Sequence, residues 1–160
     1  MAFDLKSRPN SIPWPPLIYA VAGLCGVLLE RFVPTGALLP QWLQIAGGAV
    51  MALGLGLDFW AMTTMLLART NILPNRGAGR LVTSGPFAVT RNPIYLGNTA
   101  LMLGIGLAWG ALWFLPLAFC AAFLVEKLAI RREEAHLAIR FGPEWATYAA
   151  ATPRWLKWFP

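Results

Sequence analysis

Apolar and polar residues in this chain come in long blocks. Residues 15–33 (PPLIYAVAGLCGVLLERFV) form a first apolar stretch and residues 42–68 a second; the third runs for 32 residues, from Ile94 to Val125. Runs of this length predict helices. A bilayer core of about 30 Å needs roughly 20 helical residues, so the first two stretches each fit one crossing. The third is too long for one comfortable crossing and short for two. Gly106, Gly110 and Pro116 offer a break near Trp109-Gly110, which divides it into spans 93–109 and 111–127. Gly104, Gly106 and Gly110 are expected to let these two short helices close into a tight hairpin.

The placement of charge supports four spans over three. With four, the N-terminus, the 69–91 loop and the C-terminal tail share one side and hold 12 of the 13 Lys and Arg residues, with only Arg31 opposite. With three, the loop and the tail fall on opposite sides and the asymmetry disappears. The positive-inside rule therefore predicts both termini in the cytoplasm, in an inner or cytoplasmic membrane. The expected fold is an all-α polytopic membrane protein, one domain over residues 1–160, with four transmembrane helices. Lys6 and Arg8 precede the first stretch, but no convincing small-residue cleavage site follows, so it reads as a span and not as a cleaved leader.

Composition agrees. The chain is 58% hydrophobic and 12% charged, with a mean hydropathy of +0.57. Soluble domains carry about 25% charged residues. Several of the eight tryptophans stand near the ends of apolar runs, where amphipathic rings favour the interface. The net charge of +6 is accounted for by orientation and anionic lipid, without nucleic acid. Cys25 and Cys120 lie inside apolar segments, and no metal-ligand spacing is present.

The polar elements, residues 69–92 and 128–160, converge on one membrane face. From Glu126 the fourth helix continues as EKLAIRREEAHLAIRFG, charged and helix-forming, until Gly142-Pro143 stops it. A short amphipathic piece (EWATYAAAT) and an aromatic, basic tail (PRWLKWFP) follow, the tail suited to the interface. In the loop, GPFAVTRNPIYLG (residues 85–97) sets a turn, an arginine and Asn-Pro directly before the third span. Asn92 is a good N-cap and Pro93 suits the first helical position. The helix would then present free N–H groups to the cytoplasmic face, where they attract carboxylates and phosphates. Arg91 adds positive charge. The plainer reading is a capped membrane helix with a snorkelling arginine.

LVTSGPFAVTRNPIYLG (81–97), then EEAHLAIRFGPEWATY (133–148) and PRWL (153–156), resembles the isoprenylcysteine carboxyl methyltransferase and phospholipid methyltransferase superfamily. These are integral membrane enzymes that use S-adenosylmethionine and release S-adenosylhomocysteine. The resemblance implies a cofactor pocket between the last helices and the preceding loop. Its contacts would be Arg80, Leu81, Val82, Phe87, Asn92, Pro93, Ile94 and Tyr95, with Glu133 in the position of the family's cofactor-binding glutamate. Asn92 departs from the common histidine and cannot titrate; Phe87 departs from the common tyrosine and keeps the ring.

The residue chemistry fits these roles. A helix start beside Arg91 suits the cofactor carboxylate. Phe87 and Tyr95 suit the adenine or the sulfonium. Glu133 suits an ammonium or ribose hydroxyls. On a regular helix Glu133 shares a mixed face with Glu126, Ile130, Leu137 and Arg140. Its alternative, and that of Glu134, is a solvated face, with Arg131 three residues from Glu134.

Asp58 stands in mid-span, where a carboxyl is costly and points to function; bonding to a neighbouring helix is the alternative. The only histidine, His136, reads as exposed among charges, with a role as base the less favoured reading. Gly47, Gly48, Gly54 and Gly56 read as close-packing positions, because no phosphate-loop Lys-Ser/Thr follows. The carboxyl methyltransferases of the resembled family have an arginine four residues before the cofactor glutamate. Here that position is Ala129, with Arg131 and Arg132 as substitutes. Asp58, Arg131 and Arg132 are thus the candidate substrate residues.

The expected activity is methyl transfer to a carboxylate, amine or thiol on a lipid-like or small hydrophobic acceptor that enters between helices from the bilayer. No metal, nucleic acid or protein partner is expected, and no catalytic residue is assigned. Two other classes stay open: an NADPH enzyme resembling the membrane sterol reductases, whose extra helices find no room in these residues, and a non-catalytic membrane scaffold.

Overall fold

The computed structural model describes residues 9, 14–35, 39–72 and 77–156. Lys6, Arg8, Arg76 and Lys157, which enter the charge argument, lie outside these residues, as does the end of the aromatic tail. Every regular element among the described residues is helical. They are α1 (Trp14–Phe32), α2 (Gln41–Leu67), a 3₁₀ turn (Gly85–Ala88), α3 (Pro93–Trp109), α4 (Phe114–Val125), a π-helical turn (Glu126–Ile130), α5 (Arg131–Phe141) and α6 (Pro143–Ala151).

Local chemistry sets most of these ends. Pro93 opens α3, where its missing N–H costs nothing. Gly110, in the left-handed region at φ 73°, closes α3 and turns the chain into α4. Gly142, at φ 50°, ends α5, and Pro143 starts α6 at once. No such residue separates α4, the π turn and α5, so residues 114–141 form one unbroken helix. The fourth helix starts at Phe114 instead of at 111, because residues 110–113 are spent on the turn.

α1 and α2 are long and apolar enough to cross a membrane. Their large side chains face outward: Val21 is 60% exposed, Leu53 73% and Phe59 72%. A continuous apolar exterior of this kind calls for lipid. The core lies between α1, α3 and α4, around Ala22, Met102, Phe114, Ala118 and Ala121.

α2 and α3 meet differently, along glycines. A side chain on Gly47 would strike the backbone of Ala108 and Gly104; one on Gly54 would strike the Gly97 carbonyl. Gly104 and Gly97 return the same contacts to Met51, Gly47 and Gly54. Two glycines seven residues apart on each helix bring the backbones together, the packing mode of membrane helices. This corrects two expectations. Gly104 serves the α2 seam and not the α3–α4 hairpin, which Gly106 holds against Phe114. Gly48 and Gly56 have open space around them and are not close-packing positions. The hydrophobic period of a helix does not reveal which neighbour each of its faces will meet.

Candidate functional site

The site is assembled around the start of α3. The Gly85 turn lies on α2, with space for a side chain limited by Thr64 and Trp60, and at φ 61° it needs glycine. It is followed by Thr90, Arg91 and Asn92, which are tied to the folded-back C-terminal segment. The Arg91 N–H donates to the Pro153 carbonyl (2.9 Å). The Arg154 carbonyl accepts from Thr90 Oγ1 (3.1 Å) and from Asn92 Nδ2 (2.9 Å). Tyr148 Oη donates to the Phe87 carbonyl (2.7 Å).

Asn92 therefore occupies the cap position without capping. Its side chain makes no bond to the first turn of α3; it reaches across to Arg154 instead. The competing acceptor is a part-buried carbonyl that would otherwise lose one of its two partners. The amides of Ile94 and Tyr95 are left without a side-chain cap.

Behind this segment stands an ionic cluster. Glu134 binds Arg154 through two bonds (3.0 and 2.6 Å) and Arg91 through one (3.2 Å). Glu126 accepts from Arg154 (3.3 Å), Arg131 (3.1 Å) and Trp155 Nε1 (3.0 Å). The expected pairing of Arg131 with Glu134 does not form. Nor does Glu126 share the Glu133 face. The π turn takes up an extra residue, so the eight-residue step from Glu126 to Glu134 spans about two turns, for which a plain α-helix uses about seven. Glu126 and Glu134 thereby meet the same arginine. Nothing in the sequence marked the π turn. Trp155, in the aromatic tail, is held by Glu126.

Glu133, one position round from that cluster, turns inward. It accepts from Tyr95 Oη at 2.8 Å. Loss of hydration pushes its carboxyl up to about 7; the Tyr95 bond works against this and the neighbouring Glu134 charge with it. Burial likewise pushes the Tyr148 phenol up to about 12, against the pull of Arg91.

An open-sided cavity lies between these elements. All ten positions expected to hold a cofactor line it: Arg80, Leu81, Val82, Phe87, Arg91, Asn92, Pro93, Ile94, Tyr95 and Glu133. Thr70 secures its loop wall, accepting from the Gly79 and Arg80 amides (3.0 and 3.2 Å). The Arg91 guanidinium stacks over Trp145 (5.6 Å). Its Nε is buried and has no acceptor among the described residues.

Three further wall residues were not expected. His136 is buried at 1% exposure, against the reading of an exposed histidine, and its Nε2 accepts from the Ala78 amide (3.4 Å). It stands three positions after Glu133 on α5, and that spacing was the available signal. Trp145 and Tyr148 come from α6; both fall inside the 133–148 block, where the resemblance implied a cofactor contact only for Glu133. Of the substrate candidates, Arg131 and Arg132 are exposed and lie off the cavity, as does Asp58, in the α2–α3 seam.

The fold and site define a helical, membrane-type protein with a cavity at one end of its helices, apolar over most of its wall and carrying a few charged side chains. The phospholipid methyltransferase family matches residues 42–144, more than half of the chain. The chain belongs to that family. It is similar to the cobalt-zinc-cadmium resistance protein CzcN of Cupriavidus metallidurans, 37% identical over 81 residues, which cover 51% of this chain and 37% of that protein. It is also similar to the nickel-cobalt-cadmium resistance protein NccN of Alcaligenes xylosoxydans xylosoxydans, 33% identical over 81 residues, covering 51% and 38%. The matched stretch is thus little more than a third of the length of these curated relatives. No solved structure gives a significant match.

Proposed function

We propose that this protein is an S-adenosylmethionine-dependent methyltransferase of the membrane, acting on a lipid-like or small hydrophobic acceptor that carries a carboxylate, amine or thiol. The observation that carries the reading is the gathering of all ten candidate cofactor positions, from two separated stretches of sequence, around one cavity. The buried, unpartnered Nε of Arg91 adds to it: a donor without an acceptor is costly, and an anionic ligand group would supply the acceptor.

The bound cofactor would supply an electrophilic methyl group; the chain supplies position and exclusion of water. Arg91, with the uncapped amides of Ile94 and Tyr95, would hold the carboxylate. Glu133 would accept from the ammonium or the ribose hydroxyls. Phe87 and Tyr95 offer faces to the adenine or the sulfonium. The Arg154–Glu134 pair fixes Arg91 from behind.

α1 to α4 would each cross the bilayer, with both termini and the cavity on the cytoplasmic side. The distribution of Lys and Arg supports that orientation. α4 with its π turn supplies 17 helical residues, about 25 Å, before the charged α5 begins. The names of the relatives speak of resistance to metals and leave the acceptor open.

The test is transfer of a labelled methyl group from S-adenosylmethionine to a total membrane lipid extract, with the product identified by mass spectrometry. Titrations with S-adenosylhomocysteine and NADPH run beside it. Binding of NADPH alone would favour the reductase-like reading; binding of neither would favour a scaffold.

A further inference from the structure

Asp58 is the only acidic residue between Arg31 and Val125. It stands on α2 where that helix crosses α3. Its Oδ1 is buried and has no hydrogen-bond partner among the described residues. The space for the carboxyl exists only because residue 97 is glycine: a side chain there would collide with the Asp58 carboxyl. The glycine contacts at 47/104 and 54/97 fix the two helices at this distance, so the carboxyl has no freedom to turn away.

The surroundings explain why it has no donor. The amides of α2 and α3 are consumed within their own helices. The hydroxyls of Tyr19 and Thr99 are engaged with each other (2.7 Å) and with the Tyr95 carbonyl (3.0 and 2.8 Å). The next residues along α2, Phe59 and Trp60, are 72% and 51% exposed on the apolar exterior. Asp58 itself is partly exposed, so a molecule dissolved in the bilayer can reach it.

The position is also adjacent to the cavity. Asp58, Ala61 and Met65 follow one face of α2, and Met65 lines the cavity about 10 Å further along. On α3, Gly97 follows two residues after the cavity-lining Tyr95.

We propose that Asp58 is a specificity-determining residue for the acceptor. Its carboxyl takes a hydrogen bond from the protic headgroup, an amine or a hydroxyl, of an amphiphile arriving from the bilayer at the α2–α3 face. An anionic headgroup has no proton to donate to this carboxyl and gains no bond there. That the bound molecule then receives a methyl group rests on the function proposed above; the binding does not.

The test uses the full chain reconstituted in phosphatidylglycerol vesicles, which contain no amine. Dicyclohexylcarbodiimide, which converts carboxyl groups in apolar surroundings to N-acylureas, is added with dodecylamine, dodecanol or dodecyl sulfate at equal mole fraction, and the N-acylurea, together with any dodecylamide formed by capture of the activated carboxyl, is mapped by mass spectrometry. Asp58 should form the N-acylurea, dodecylamine should slow its formation at least tenfold, dodecanol should slow it less, and dodecyl sulfate should leave it unchanged. Asp58→Asn should lose the thermal stabilisation given by dodecylamine and keep that given by S-adenosylhomocysteine. No modification of Asp58, equal protection by all three amphiphiles, or an unchanged dodecylamine effect in Asp58→Asn would each overturn the proposal. Protection by dodecylamine without methyl transfer in the same vesicles would leave the site standing and remove the methyltransferase reading. Methyl transfer with no such protection would do the reverse.

Discussion

The two ends of α3 are built from the same apolar chain and differ in how their polar groups are satisfied. At the C-terminal end, the Thr35 hydroxyl lies within bonding distance of Glu30 Oε2 (2.9 Å) and the Gly110 carbonyl (3.1 Å). The Thr35 amide donates to Glu30 Oε1 (3.0 Å), and Trp113 Nε1 donates to the Val33 carbonyl (2.7 Å). Few charges are used and this corner is knitted together. At the N-terminal end, Arg80, Arg91, Glu133 and Glu134 line a cavity, a guanidinium nitrogen is buried without an acceptor among the described residues, and a carboxyl is driven up to about 7. A membrane helix needs only the first arrangement in order to stop. The second holds more hydrogen-bonding capacity than the fold consumes, and that surplus is what a ligand would use.

Glu133 tests the contrast most severely. Glu133→Gln should reduce affinity for S-adenosylhomocysteine about tenfold to a hundredfold, the effect of a charge-assisted hydrogen bond worth about 1.5–3 kcal/mol, read by calorimetry in detergent. Its pH dependence is fixed in sign. The folded carboxyl titrates at about 7, above its ordinary 4.5. The contribution of this group to the stability of the ligand-free protein is therefore fullest below pH 4.5 and is lost as pH rises through 7, where the carboxyl must ionise. Ligand binding by the ionised form runs the other way and weakens as pH falls below 7. Glu133→Gln should flatten both profiles. A wild-type affinity that ignores pH across this range would remove Glu133 from the site.

The next effect is at Arg154. Arg154→Gln breaks the bidentate pair with Glu134 and releases Arg91 from its support. With Arg154 about a third exposed, solvent discounts the loss to about 1–2 kcal/mol of stability. Affinity for S-adenosylhomocysteine should fall several-fold as well. A lower melting temperature with full affinity would make the ionic cluster structural only.

A smaller change is expected at Asn92. Removing its bond to the Arg154 carbonyl in Asn92→Ala should cost about 0.5–1.5 kcal/mol. Asn92→Asp should be no better, because aspartate cannot donate to that carbonyl. Wild-type stability in Asn92→Asp would mean that the side chain caps α3 instead. The opposite end should answer in stability alone: Thr35→Val should cost a similar amount, about 0.5–1.5 kcal/mol, and leave ligand affinity unchanged. A loss of affinity there would show that the two ends are coupled.

Much of this architecture is local and was readable in the residues. Long apolar runs define α1 and α2, Pro93 and Gly110 bound α3, and Gly142-Pro143 separates α5 from α6. The gathering of Arg80–Val82, Phe87, Arg91–Tyr95 and Glu133 could be expected because the spacing of two short blocks resembles a family pattern; hydropathy alone would not have yielded it. The partners of individual side chains were another matter. Asn92 bonds Arg154 instead of its own helix, Glu134 holds Arg91 and Arg154 instead of Arg131, His136 is buried, and Gly104 serves α2 instead of α4.

Sequence by itself thus determined where helices begin, end and present charge, because φ preferences, missing amides and runs of apolar surface act over a few neighbouring residues. Only the tertiary structure decided which donor meets which acceptor. A π turn shifts the register of everything beyond it, and a hydrogen bond goes to whatever stands across the gap, which can be a residue some sixty positions away, as with Asn92 and Arg154.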